Sequence, residues 1–318
     1  MTKIETLDTA AALVHRYLPP TPQYAWPLLA EASGCDLWVK HENHLPIGAF
    51  KVRGGLVYMS DLKTAHPDCP GVVTATRGNH GQSIGFACRT LGLRAVILVP
   101  RGNSVEKNAA MRALGVEVIE HGEDFQDARE EAGRRAEAEG LHFLGPFNEL
   151  LLRGVASYPL ELFRAVPDLE RVYVPIGMGS GICATIMARN ALNLKTEVIG
   201  VVAENAPAYA LSYQAGAPVN TNTADTIADG LACRVPDPEA LAVIRHGAAD
   251  VVTVSEAEIR EAMRLTFRAT HNVAEGAGAA GLAAVMKDRE RLRGRRVATV
   301  LSGGNVDTRV FREVLLGT

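Results

Sequence analysis

The stretch GVVTATRGNHGQSIGFACRTLGLRAVILVPRGNSVEKNAAMRALGVEVIEHGEDFQDAREEAGRRAEAEGLHF, residues 71–143, decides the fold. It repeats one unit three times: GVVTA then NHGQSIGFACRTLG, RAVILVP then SVEKNAAMRALG, VEVIE then DFQDAREEAGRRAEAEG. Each apolar run has strand length, and each following stretch has the 3.6-residue rhythm of an amphipathic helix. The helices are expected to end at Gly92, Gly115 and Gly140, where a left-handed cap needs no Cβ. Short apolar strands alternating with helices imply a parallel sheet covered on both faces.

Working outward, the same alternation continues on both sides. Leu37-Trp38-Val39-Lys40 is an earlier strand. A helix is expected from about Leu151 to Val166, then the strand Arg171 to Pro175, a glycine-rich turn, a helix to Leu192 and the strand Glu197 to Val202. Residues 205–237 have weak periodicity and read as a long functional loop with short helices. Helices around 255–270 and 276–288 and the strand Val297 to Leu301 close the pattern. The fold class is therefore α/β, with two open parallel-sheet domains and flanking helices. In such sheets ligands gather at the C-terminal ends of the strands, which directs attention to the segments after residues 75, 175 and 301.

Composition narrows the function classes. With 318 residues, 47% hydrophobic and 22% charged, the chain can bury one large or two ordinary cores. A net charge of -3 without like-charge blocks does not suit nucleic acid or an anionic membrane. Cys35, Cys69, Cys88, Cys183 and Cys233 are scattered and odd in number, so they predict reduced core thiols and neither a disulfide framework nor a zinc site. The first residues carry acids within a helical rhythm and no apolar run reaches transmembrane length, so a soluble, cytoplasmic protein is expected.

Polar or glycine-rich segments occupy the expected strand ends. They are Thr76-Arg77-Gly78-Asn79-His80-Gly81, Gly177-Met178-Gly179-Ser180-Gly181 and Ser302-Gly303-Gly304-Asn305; Gly48-Ala49-Phe50-Lys51-Val52-Arg53-Gly54-Gly55 follows the first strand. Residues 177–181 are either a tight turn or an anion cradle of backbone N–H groups at a helix N-terminus. A dinucleotide turn would carry GxGxxG, and the third glycine is missing, so a single phosphate suits the segment better. Lys51 is either a solvated surface amine or, among small apolar residues, a desolvated imine-forming nucleophile. Asn79 and His80 could be helix-capping groups, and Ser302 a turn former.

These segments together resemble the fold-type II family of pyridoxal-phosphate enzymes, similar to tryptophan synthase β, and within it the serine/threonine dehydratase and serine racemase branch. Glu42-Asn43 followed by Gly48 to Gly54 is similar to that family's cofactor-lysine signature, and the loop, glycine-loop and terminal SGGN segments occur in the family's order from about residue 18 to 310. The resemblance implies pyridoxal 5'-phosphate bonded to Lys51, with Phe50 near its ring and Asn79 on its phenolic oxygen. It implies phosphate binding by backbone N–H groups of Gly177, Met178, Gly179, Ser180 and Gly181, and Ser302 at the pyridine nitrogen. Thr76, Arg77, Gly78, Asn79 and His80 would hold the substrate carboxylate. It further implies a large domain of residues 1–63 and 148–318, a small domain of residues 64–147, a cofactor site between them and a homodimer. The expected reaction is α,β-elimination of water and ammonia from a β-hydroxy-α-amino acid of the threonine or serine type. A larger or acidic substrate (3-hydroxyaspartate, phenylserine or one derived from hydroxyectoine), β-replacement and racemisation are the alternatives.

Departures from the family pattern refine this. Arg77 stands where racemases carry a serine, which argues against racemisation; a guanidinium there would favour a substrate with an extra acceptor. Glu204 and Ala208 fit the family's cation site but Ala210 replaces its Asp, so no metal is expected. No regulatory extension follows residue 318, as in the short catabolic members. The segments His41 to His44, Thr76 to Ser83 and Glu204 to Tyr209 are similar to a subgroup that includes hydroxyectoine-utilisation dehydratases.

Overall fold

The computed structural model describes residues 2–145 and 147–317. The chain divides into two compact units. The first comprises the residues up to Phe50 together with those from Val155 onward, and the second is Lys51–Gly154. The strands are β1 (Gln23–Ala25), β2 (Asp36–His41), β3 (Val72–Ala75), β4 (Ala95–Val99), β5 (Glu117–Glu120), β6 (His142–Phe143), β7 (Arg171–Pro175), β8 (Glu197–Ala203), β9 (Asp250–Val254) and β10 (Arg296–Leu301).

The first unit holds a six-stranded sheet in the order β1-β2-β10-β7-β8-β9. Only β1 runs antiparallel, paired with β2; the rest are parallel. Because β2, β10 and β7 are neighbours, the lysine segment, the Ser302 segment and the glycine loop leave the sheet side by side. One face is covered by helix Gly276–Lys287, whose small residues are buried almost all round. Glycine lets that helix lie tight on the sheet, since a Cβ at Gly281 would strike the Thr299 hydroxyl. Helix Glu256–Thr270 packs beyond it through Ile259, Ala262, Met263 and Thr266, at the i, i+3, i+4, i+7 spacing of one apolar face. A capping box fixes its start: Ser255 Oγ accepts Glu258 N–H, and Glu258 Oε2 accepts Ser255 N–H. Each fully buried Val, Leu, Ile or Met in this core contributes on the order of 1.5–3 kcal/mol.

The second unit holds a parallel sheet in the order β5-β4-β3-β6. Val73, Ala75, Val96 and Leu98 face Ala128 and Ala132 of helix Phe125–Glu139. The opposite face is covered in part by helix Asn79–Leu91, where Gly81 fits between Met111 and Ile97. Both faces of β3 and β4 are buried, as their unbroken apolar runs require. Helix Lys51–Ala65 lies against Asn79–Leu91 where Gly55 meets Ser83.

The parallel α/β architecture expected from the sequence is present, and three local readings are refined. Gly92 and Gly140 are left-handed helix caps, whereas helix Val105–Ala113 is capped by Leu114 and Gly115 follows at φ +83°. The single helix expected to reach Val166 is two, Glu149–Val155 and Ser157–Ala165. Pro159 lies in the first turn of the second, where its missing N–H is harmless, but there it cannot extend the hydrogen-bond ladder of the first. Residues 205–237 contain helix Ala208–Ala215 and the single 3₁₀ turn Asp229–Leu231 among the described residues.

Candidate active site

In the first unit the lysine segment is zipped to the terminal SGGN segment by backbone. Phe50 N–H donates to Ser302 O at 3.1 Å, Ala49 bridges Gly303, and Gly304 N–H donates to Gly48 O at 2.9 Å. Asn305 Nδ2 donates to Ile47 O at 2.8 Å. Gly48 adopts φ +67°, and a Cβ there would lie 2.8 Å from Asn305 Oδ1, so both conformation and space demand glycine. Ser302 is thereby held buried at the end of β10.

The glycine loop leaves the neighbouring β7. Helix Ser180–Ala191 begins at Gly179, φ +94°, and no side chain caps its first N–H groups. A Cβ at Gly177 would collide with Gly230 O, and one at Gly179 would come 2.7 Å from Ala240 Cβ. The turn is therefore packed from behind, and its glycines place no side chain of their own over its amides. Uncapped amides, glycine and a helix N-terminus fit a single phosphate group. Phe50 stands beside it: its ring meets Tyr158 edge-on at 6.0 Å, and a Cβ on Gly181 would lie 3.7 Å from Phe50 Cζ. Tyr158 Oη donates to Gly181 O at 3.1 Å, and Thr185 Oγ1 donates to the same carbonyl at 2.9 Å. Phe50, Gly181 and Ser302 are thus brought together within this unit.

In the second unit Lys51 opens its helix, and Ser83 Oγ donates to Lys51 O at 2.6 Å. The loop after β3 is shaped by Thr76, whose Oγ1 accepts Gly78 N–H at 3.0 Å and Gly81 N–H at 3.3 Å. That leaves its own O–H as a donor. Gly78 is the N-cap of helix Asn79–Leu91 and offers no side chain to cap its first turn. Arg77 is exposed on the loop and His80 is buried.

His80 carries the main electrostatic signal. Burial and the charge of Lys51 push its pKa down to about 3, so the imidazole is neutral near pH 7. Its Nε2 is buried with no hydrogen-bond partner, as is Nε2 of Gln82 on the same helix. Buried polar atoms without partners are uncommon in folded proteins and mark places where a ligand completes the bonding. The charge of Lys51, at the start of its helix, thus reaches His80 in the first turn of the helix that follows the Thr76–Gly78 loop.

Glu275 was missed in the sequence. Its carboxylate is buried against Gly303, where a Cβ would collide with Oε1, and its N–H donates to Gly303 O at 3.1 Å. An acid directly before the Gly-Ala helix was the available signal. Among the described residues no cluster of three or more His, Cys, Asp or Glu is arranged to hold a metal ion. No helix among them is long and apolar enough to cross a membrane.

Known proteins are similar to this chain in sequence and fold. The family described as pyridoxal-phosphate dependent enzyme matches residues 14–303. L-threonine ammonia-lyase of Thermotoga maritima is 34% identical over 289 residues, covering 91% of this chain and 72% of that protein. The Escherichia coli K12 protein named L-threonine dehydratase catabolic TdcB is 31% identical over 307 residues, covering 96% and 92%. The processed form of threonine deaminase isoform 2 from Solanum lycopersicum superposes with a TM-score of 0.92 at 27% identity, over 99% of this chain and 93% of that one.

Proposed function

The chain belongs to the pyridoxal-phosphate dependent enzyme family, and from that premise we propose that it is an ammonia-lyase converting a β-hydroxy-α-amino acid of the threonine or serine type to a keto acid and ammonia. Relatives of that activity, 31% to 34% identical over most of the chain, support a lyase. The observation that carries the reading is the Lys51 amine beside a buried, neutral histidine with an unmet nitrogen.

When bound, the cofactor supplies an electron sink for negative charge at the substrate Cα. Lys51 would hold it through Nζ, and the same amine, when unbonded, would be the base that removes the α-proton. The protonated Nζ then returns this proton to the β-hydroxyl, which leaves as water when the Cβ–O bond breaks. The unsaturated amine tautomerises and hydrolyses to keto acid and ammonia, so the reaction needs no redox partner. His80, kept neutral, offers N–H to the substrate carboxylate without competing with Lys51 for the proton. Thr76, Gly78 and Asn79 would supply further donors to the same carboxylate, and Asn79 would also hydrogen-bond the cofactor's phenolic oxygen. Ser302 would meet the pyridine nitrogen as a hydroxyl, which would not force full charge onto the ring. The amides of residues 177–181 would bind the phosphate, and Phe50 would bound the ring.

The test is a screen of β-hydroxy amino acids, in both enantiomers and both diastereomers, for keto acid and ammonia. Release of both from at least one threonine- or serine-like substrate, without an added nucleophile, is expected. Product with inverted configuration alone, or turnover only with a second nucleophile, would move the enzyme to racemisation or β-replacement.

One observation favours a substrate with a second acid group. The Lys107 stem lies over Gly78, where a Cβ would come 2.6 Å from its Cδ, and Arg77 adjoins on the loop. Two cations at one substrate loop suit 3-hydroxyaspartate. Lys107→Met should then lower kcat/KM for 3-hydroxyaspartate about tenfold relative to threonine; an unchanged ratio removes this reading. The subgroup, homodimer and cytoplasmic location implied by the resemblance belong to the same proposal, and sedimentation of the holoenzyme tests the dimer.

A further inference from the structure

We propose that Tyr209 is a positioning residue that aims the Gly179 amide at the cofactor phosphate by holding the Met178 carbonyl; this rests on the reading that residues 177–181 bind that phosphate. Tyr209 lies on helix Ala208–Ala215 and is 1% exposed. Its Oη donates to Met178 O at 3.2 Å and accepts Asp237 N–H at 3.0 Å. Asp237 is itself the N-cap of helix Pro238–Gly247, and its Oδ1 accepts the N–H groups of Glu239 and Ala240, both at 3.0 Å. The phenol therefore ties one carbonyl of the loop to the start of a capped helix.

The geometry of the peptide unit turns this tie into an aiming device. In a trans peptide the C=O of residue 178 and the N–H of residue 179 share a plane and point in opposite directions. Fixing Met178 O toward Tyr209 thus turns Gly179 N–H away from Tyr209, toward the open side of the loop. Ala240, on the helix that Asp237 caps, blocks the alternative: a Cβ at Gly179 would stand 2.7 Å from Ala240 Cβ and 3.4 Å from Tyr209 Oη. Met178 turns its side chain to Cys233, with Sδ 3.8 Å from Sγ. Burial raises the phenol's pKa, so the hydroxyl keeps the proton it donates. Tyr209 is bonded to Met178 O and Asp237 N–H and to neither Lys51 nor Ser302, so its effect would fall on the phosphate.

The experiment compares binding of pyridoxal phosphate and of pyridoxal, which lacks the phosphate, to the cofactor-free full-length protein. Wild type is expected to prefer the phosphorylated form. Tyr209→Phe should weaken pyridoxal phosphate about tenfold, leave pyridoxal unchanged and shift the ³¹P resonance of the bound phosphate. A wild type that binds both equally removes the phosphate role of the loop, and this proposal with it. A wild type with the preference, and a variant that keeps all of it, overturns Tyr209 alone. A variant that loses both ligands equally shows a merely structural residue and also overturns it. Should Tyr209→Phe not fold, hydrogen exchange of wild type supplies the answer. The peptide spanning residues 236–241 should exchange more slowly with pyridoxal phosphate than with pyridoxal, and equal exchange overturns the proposal.

Discussion

Phe50 and Lys51 are consecutive, yet their surroundings follow opposite rules. On the Phe50 side, in the first unit, the candidate site is backbone held by backbone: the Ser302 segment is zipped to residues 47–50, and the Met178 and Gly181 carbonyls are tied by tyrosines. On the Lys51 side, in the second unit, the loop carries Arg77, the Lys107 stem of helix Val105–Ala113 lies over Gly78, and two buried nitrogens, His80 Nε2 and Gln82 Nε2, lack partners. Backbone bonds order the first region, whereas the second holds two buried nitrogens whose bonding is unmet. Unmet buried donors cost free energy in the free protein and are satisfied by what binds there. Under the proposed function, the first region would hold the cofactor in a largely preformed loop and the second would gain bonding when substrate arrives.

The largest expected effect falls on the second region. Lys51→Ala should lower kcat by about 10⁴-fold and abolish the visible absorbance of the purified enzyme, with thermal stability nearly kept. Retained turnover would break the division of labour. The next effect separates two histidines by pH. His80 in the second unit is pushed down to about 3 by burial and Lys51, and His41 in the first to about 4 by burial and His44. Both folded values lie below the ordinary 6.5, so each contribution to stability is complete above pH 6.5 and declines as pH falls. The decline ends near pH 3 for His80 and near pH 4 for His41, with a slope of up to about 1.4 kcal/mol per pH unit for each. Denaturant titration from pH 7 to 3 should be flattened by His80→Gln down to the lower limit and by His41→Gln only down to the higher. Identical curves for the two variants would show that the regions do not differ in this way.

Periodicity made most sheet strands and the strand-end loops legible because each β–helix unit is a local pattern of apolar residues, but β6 and β9 were not expected. Lys51, the glycine loop and Ser302 were legible as candidates because their order along the chain is itself a signal. Other features depend on partners far apart in sequence. Strand β1 has three residues, too few for any period, and exists through pairing with β2. Glu275 gains its place only when Gly303 returns beside it, and Tyr209 only when Met178 and Asp237 flank its hydroxyl. The isolation of His80 Nε2 is likewise a property of packing. A residue's own neighbours specify its helix or strand, but an unmet hydrogen bond is defined by what the whole unit fails to supply.

The smallest expected effect puts one added methyl group in each region. Gly177→Ala drives a Cβ into Gly230 O, a backbone atom that cannot turn aside, so the loop or the Asp229–Leu231 turn must shift. Overpacking of this kind costs about 1–3 kcal/mol. Gly78→Ala also meets an atom too close, but that atom is Lys107 Cδ, on a flexible side chain that can swing away. Its cost in stability should be under about 1 kcal/mol, within the range of substitutions that relieve strain by side-chain movement. The functional consequences should run the other way along the chain: Gly177→Ala should weaken cofactor retention, while Gly78→Ala should raise KM for the substrate with cofactor binding kept. Denaturation midpoints and cofactor titration of the two variants measure both. If Gly78→Ala proves as destabilising as Gly177→Ala, the Lys107 stem is held as firmly as backbone, and the second region is as preformed as the first.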